Sequence, residues 1–213
     1  MRLRHLVLSS LLLGLGSTAL CATAEEHIQS GSKFSQEKNY KEAAREFEVA
    51  VQIAPDNANA NLLLGLALAN TGELEKAAQA SLKAAQLSPS YSAYYNLGLI
   101  YSSQGRYEDA VKAYEQALAL NPRSYQAWHQ LGKVYATSLD FKKAIHAYQQ
   151  AANLNPKFPD AYQGLGSAHY WSGDLASSLQ QVDALNKFKF ESKALELERW
   201  IQNKEEKKKR SSA

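Results

Sequence analysis

An all-α fold of repeated helical hairpins is predicted by three residue columns that share one period. Prolines stand at Pro55, Pro89, Pro122 and Pro156, spaced by 34, 33 and 34 residues, and glycines at Gly31, Gly65, Gly98, Gly132 and Gly166 keep the same cycle. A third column is small: Ala43, Ala77, Ala110, Ala144 and Ser178. Such self-similarity marks a stack of supersecondary units, none of which can bury its apolar face alone. The 213 residues, 45% hydrophobic and 21% charged, carry the apolar content a packed core needs. Five prolines and eleven glycines exclude a collagen-like or low-complexity chain, and a single cysteine excludes an internal disulfide framework.

Residues 1–24 read as a secretory leader. Arg2 and Arg4 precede an apolar run from Leu6 to Leu20, whose 15 residues fall short of the roughly 20 that a spanning helix needs. Ala22-Thr23-Ala24 supplies the small-x-small site of a leader peptidase, so cleavage after Ala24 is expected, leaving Glu25 first. The mature chain then has no cysteine, which suits an oxidising compartment and removes thiol catalysis and thiolate metal sites. The location expected is periplasmic. The competing reading acylates Cys21 and anchors the chain to an inner or outer membrane as a lipoprotein. Bulky Leu20 argues against it, since bacterial lipoprotein signals place a small residue before the cysteine.

The hairpins follow from residue 25 onward. Glycine and alanine are expected to face each other where two antiparallel helices cross, because larger side chains would hold the backbones apart, and aromatics fill the space alongside. Asn121-Pro122 and Asn155-Pro156 stop a unit's second helix, since proline lacks the N–H donor and disfavours helical geometry in the residue before it. Thr71-Gly72 and Gln104-Gly105 mark turns within units.

These residues resemble the tetratricopeptide repeat, whose signature runs Trp-x2-Leu-Gly-x2-Tyr, then Ala-x3-Phe, then Pro. The fourth unit reads Trp128, Leu131-Gly132, Tyr135, Ala144, Tyr148, Ala151 and Pro156; the third reads Tyr94, Leu97-Gly98, Tyr101, Ala110, Tyr114, Ala117 and Pro122. The first is looser, with Phe34 and Phe47, and the second puts Ser81 where an aromatic is usual. The fifth fades: it keeps Tyr162 and Leu165-Gly166, but His169, Val182 and Leu185 break its later columns. The resemblance implies a right-handed superhelical solenoid of about five units, at 25–57, 58–90, 91–124, 125–158 and a degenerate 159–189. Residues 190–203, with Ala194, Leu195, Leu197, Trp200 and Ile201 among Lys and Glu, read as an amphipathic helix capping the stack. Residues 204–213 form a basic tail.

The net charge of +3 is far from the basic excess of a nucleic-acid binder. Loss of Arg2 and Arg4 with the leader leaves +1, and Lys204 to Arg210 alone carries +3. That tail could meet anionic lipid, though interspersed glutamates favour a solvated helix end. Membrane contact is expected only through the tail or an acylated Cys21.

No catalytic constellation is present. His5, His27, His129, His146 and His169 lack zinc-ligand spacing, and His169 occupies an aromatic column, where a buried, hydrogen-bonded core histidine is expected. Gly164-Leu-Gly166 has no strand before it and does not open a dinucleotide loop. Glu46/Glu48, Glu73/Glu75 and Glu196/Glu198 are two apart, which on a helix sends them to different faces. Neither catalysis, cofactor nor metal is expected.

A partner is expected in the concave groove that first helices line in this family. Tyr94, Tyr101, Tyr114, Tyr135, Tyr148, Tyr162 and Trp128 belong to the framework columns. What remains on the other helix face is Leu62, Leu66 and Asn70 in the second unit, Tyr95, Leu99 and Ser102 in the third, and Gln126, His129 and Lys133 in the fourth, with Asn96 and Gln130 added from the family's ladder column. Tyr170 and Trp171 complete it in the fifth. This neutral, apolar lining fits a peptide segment or helix of another protein. The alternative packs Leu62, Leu66 and Tyr95 between neighbouring units. A carboxylate clamp is incomplete, since the first unit offers Ile28 and Ser32 and only Lys133 is basic; the family's asparagine ladder survives as Asn96, with Gln29, Leu63, Gln130 and Gly164 in its column. The function expected is an envelope scaffold or adaptor, the alternative a tethered lipoprotein assisting assembly of a pilus or secretin. The sequence does not specify an oligomeric state.

Overall fold

The computed structural model describes residues 23–211. The leader thus lies outside the described residues, Cys21 included, except for Thr23 and Ala24, which are helical; Ala24 is 1% exposed. Among the described residues there are eleven helices and no strand, and none is long and apolar enough to cross a membrane. The chain divides after Gln104 into two units.

The first unit holds α1 (23–36), α2 (Tyr40–Ile53), α3 (Ala58–Thr71), α4 (Leu74–Leu87) and α5 (Tyr91–Ser103). Consecutive helices pack on each other from α2 to α5, and α3 also touches α5. The second holds α6 (Tyr107–Leu120), α7 (Tyr125–Thr137), α8 (Phe141–Leu154), α9 (Pro159–Ser172), α10 (Leu175–Lys187) and α11 (Glu191–Ser211). Here too each helix packs on the next, and α7 touches α9. The expected third repeat, 91–124, thus gives α5 to one unit and α6 to the other.

Polar caps start the first helix of each hairpin from the second to the fourth. Asn57, Ser90 and Ser124 accept hydrogen bonds from the backbone N–H of Ala60, Ala93 and Ala127, satisfying donors that have no intrahelical partner. The turn inside a hairpin needs one residue at positive φ, filled by Gly72, Gly105 and Gly173 but also by Lys38 and Leu139.

Ala43, Ala77, Ala110 and Ala144 are wholly buried, as small crossing residues should be. The expected glycine–alanine pairing is corrected by what each glycine meets. A Cβ on Gly31 would lie 2.7 Å from the Phe47 ring, and one on Gly132 2.8 Å from the Tyr148 ring. The missing side chain therefore admits the aromatic one turn beyond the alanine. Gly65 meets the hydroxyl of Ser81 and, at 3.1 Å, the carbonyl of Ala77. In the fifth hairpin Ser178 donates to the Gly166 carbonyl at 2.9 Å, and the space over Gly166 is taken by Leu197 of α11.

That last contact defines the cap. Helix α11 packs on α10 and α9 just as α9 packs on α8 and α7, so it takes the seat of a next first helix. Ala194, Leu197 and Ile201 are buried against Val182 and Leu185. The helix does not stop at 203 but runs through the basic segment to Ser211. No glycine or proline interrupts it, and cations are favourable at a helix C-terminus.

Candidate functional site

In the first unit α3 and α5 lie side by side and carry six of the expected residues. Leu62 and Leu66 are half-buried, with Leu62 lining a small hollow of about 190 Å³ beside Asn59, Ala84 and Ala93. Asn70 is exposed and donates to its own helix at the Leu66 carbonyl, 2.8 Å. Tyr95 stacks on Tyr91 with centroids 5.4 Å apart. Leu99 is half-buried, and Asn96 is only 9% exposed. Ile28 is buried with Ala50 and Ala60 and presents nothing to a ligand.

The second unit gathers more. On α7, Gln126 and Lys133 are exposed and Gln130 is half-buried. The His129 ring lies 5.0 Å from Phe158 and 5.6 Å from Tyr148, edge-on to the first and tilted to the second. Burial among these rings pushes its pKa down to about 4, so at neutral pH it offers one donor and one acceptor and no charge. Between α7 and α9 a hollow of about 350 Å³ opens, lined by Thr137, Leu139, Phe141, Tyr148, Gly164 and Trp171 among others. Trp171 is 62% exposed.

Tyr170 departs from the expectation. It packs against the core under α11, its ring 6.4 Å from Trp200, with the Lys204 ammonium 4.2 Å above it and bonded to its carbonyl. The capping helix has claimed this side chain because α11 follows the seat of a repeat helix. His169 is partly buried, its Nδ1 shielded from solvent 3.3 Å from the Asp174 carboxylate.

Sequence reasoning missed Phe158 and Leu139, and it placed Gly164 in the ladder column without a packing role. Gly164 carried the usable signal, since a glycine inside a helix costs about 1 kcal/mol relative to alanine and so needs a packing reason. A Cβ there would lie 2.5 Å from the Tyr148 ring. The larger hollow in this unit, about 880 Å³, lies on the other side of α7, between α6 and α8. Its walls include Trp128, Leu131 and Tyr135, all assigned to the framework. Tyr135 donates to Glu115 at 3.4 Å, and burial together with that carboxylate raises its pKa. Among the described residues no three His, Cys, Asp or Glu side chains converge to hold a metal.

Family models describe the chain in the same terms: residues 32–92 and 91–124 match tetratricopeptide repeat models and residues 140–173 a TPR repeat model. The chain belongs to the tetratricopeptide repeat family. A small glutamine-rich tetratricopeptide repeat-containing protein 2 of Mycosarcoma maydis is 28% identical over 102 residues, 47% of this chain and 29% of that protein. The chain thus spans under a third of that relative. Among solved structures, the MamA protein superposes with a TM-score of 0.74 at 28% identity, covering 80% of this chain and 94% of its own. YrrB, described as a TPR protein with an unusual peptide-binding site, gives a TM-score of 0.70 at 18% identity, covering 81% and 90%; at that identity the fold alone is shared. The chain is an all-α repeat solenoid of the kind that serves as a protein–protein interaction scaffold.

Proposed function

We propose that this scaffold is exported, has no catalysis of its own, and holds a peptide segment or helix of an envelope protein against the faces of its first helices. The carrying observation is the α7–α9 face. It combines an apolar hollow, a tryptophan 62% exposed and a neutral histidine, and the charges that act on that histidine are Lys133 and an Asp160–Lys193 ion pair of 2.6 Å. Such surfaces recognise apolar side chains and backbone amides rather than phosphates. The peptide-binding site named for YrrB supports the reading by analogy of fold.

Crosslinking capture from the native envelope tests it. A folded Tyr95→Ala plus Trp171→Ala variant should lose partners that the wild type recovers; equal recovery of every partner refutes the assignment. The address is tested by mass spectrometry of the mature N-terminus. Glu25 first is the outcome expected for a periplasmic protein, and an acylated Cys21 would replace it with a membrane-tethered one.

A further inference from the structure

A second opening lies across α7 from the Trp171 hollow. Helices α6 and α8 both pack on α7 and not on each other, so the surface of α7 floors a cleft between them. Two hollows of about 880 and 450 Å³ adjoin there, sharing Glu115, Tyr135, Asp140 and Lys143. Along α6 their lining reaches from Tyr107 to Ala119, about 18 Å of helix. Trp128 and Tyr135 are signature residues of the repeat, yet with His146 of α8 they border open space rather than a filled contact. Leu120, next to Ala119 at the end of α6, stays 52% exposed.

The chemistry of this cleft favours a helix over an extended strand. Its walls are helix surfaces, which present side chains rather than free backbone N–H and C=O groups, and no asparagine or glutamine lines either hollow. Trp128 spends its N–H on the Pro122 carbonyl at 3.0 Å, and Tyr135 its hydroxyl on Glu115. An extended segment would leave backbone groups unsatisfied against an apolar surface, whereas a helix brings them already paired. The two walls also differ in charge. Glu108, Lys112 and Glu115 give the α6 wall a net −1, while Asp140, Lys142 and Lys143 give the α8 wall a net +1. Asp140 and Lys143 pair at 3.1 Å, so Lys142 sets the sign of the second wall. A helix with bases along one flank and acids along the other matches both. This chain does not supply one. Among the described residues only α11 keeps two large apolar side chains exposed, Leu195 and Trp200, and five residues apart they lie on different faces.

We propose that the cleft between α6 and α8 docks an amphipathic helix of another protein, its apolar stripe over Trp128 and Tyr135, its acidic flank towards Lys142 and its basic flank towards Glu115. This goes beyond the scaffold reading above and does not depend on it, because the cleft and the α7–α9 face are separate surfaces of α7. The apolar stripe supplies affinity, and the opposed walls set which flanks are accepted.

The test uses the full chain with ¹⁵N-labelled tryptophan and a short synthetic helical peptide, its leucines spaced by three and four, with glutamates on one flank and lysines on the other. Its controls are the same peptide with a central proline and a version with lysines on both flanks. The mixed peptide should shift the Trp128 indole resonance, assigned through Trp128→Phe, and leave that of Trp171, assigned through Trp171→Phe, in place. The central proline should weaken binding by at least about tenfold, because it breaks the helix. Ala119→Arg puts a long charged side chain at an exposed edge of the cleft. It should weaken binding by about tenfold with the melting temperature unchanged, since arginine is nearly as good a helix former as alanine. Lys142→Glu makes both walls acidic and should turn the preference from the mixed peptide to the one with lysines on both flanks. A shift at Trp171 in place of Trp128, full affinity of the proline peptide, or full affinity in Ala119→Arg overturns the docking site. An unchanged order of preference in Lys142→Glu overturns the charge assignment. Capture lost in Tyr95→Ala plus Trp171→Ala is read on the other surface, so the two proposals can fail separately.

Discussion

The hairpins α3–α4 and α7–α8 carry the same repeat column in opposite ways. In α3–α4 the crossing is filled by small groups: Ala77, Ala78, Ser81, Ala84 and Ala85 are buried, and Gly65 is covered by a serine and a backbone carbonyl. In α7–α8 a single tyrosine takes that place. Tyr148, 4% exposed, lies between Gly132 of its own hairpin and Gly164 of the following first helix. The column therefore does not demand an aromatic; it demands that the volume lost at the glycines be filled. Where Tyr148 fills it, two helices give up side chains, and the ring lines the α7–α9 hollow. Where serine fills it, that face carries the small Leu62 hollow of about 190 Å³. A packing choice at the crossing thus shapes the surface beside it.

The comparison breaks most severely if Tyr148 is removed. Tyr148→Ala leaves a void bounded by two glycines that cannot reach into it, so a loss of about 3–5 kcal/mol is expected in urea melts. A cost below about 1 kcal/mol would show that the helices collapse onto the void, as they do around Ser81. Next comes Gly164→Ala. In an exposed helix that change gains about 1 kcal/mol, but here the Cβ falls 2.5 Å from the ring, and a net loss of about 1–3 kcal/mol is expected. A stabilised variant would mean that the ring is free to move.

His129 sharpens the comparison by acidity, since no ionisable group occupies its place on α3, where the residue is Leu62. Its folded pKa is depressed to about 4 by burial, against about 6.5 unfolded. The native state then binds fewer protons than the unfolded chain between those values. Stability from the neutral imidazole is full above pH 6.5 and is lost as pH falls through 4. On the order of 2 kcal/mol should disappear over that window, allowing for partial exposure of the ring. His129→Gln should remove the histidine's part of that acid loss; an unchanged pH profile would assign it to the carboxylates.

Much of this architecture was legible because a period of 34 is a long-range signal that survives local irregularity. Gly31, Gly65 and Gly132 pointed to close crossings, and Pro55 to Pro156 to the unit ends, without any contact being known. The face of α7 bearing His129 and Lys133 followed from helical spacing together with the family resemblance that assigns first helices to the groove. What could not be read was which neighbour fills each vacancy. Gly164 stood in the ladder column without a packing role because its partner, Tyr148, is 16 residues away on another helix. Tyr170 looked like its counterparts on earlier first helices, but α11 continues the stack and takes it. Leu139 was invisible because backbone φ is not written in residue type.

The finest distinction concerns two buried serines, both fully shielded from water. Ser178 donates to the Gly166 carbonyl at 2.9 Å, whereas the Ser81 hydroxyl is buried without a hydrogen-bond partner among the described residues. A satisfied hydroxyl contributes about 1 kcal/mol net, and an unsatisfied one incurs its desolvation cost with nothing in return. Ser178→Ala should therefore destabilise by about 1 kcal/mol, while Ser81→Ala should be neutral or stabilising by a similar amount. Chemical denaturation of both variants checks the pair, and equal losses would mean that Ser81 has a bonded partner. The sign difference matters more than either magnitude. It separates a serine that substitutes for alanine by bridging two helices from one that substitutes for an aromatic merely by being small enough to let them close.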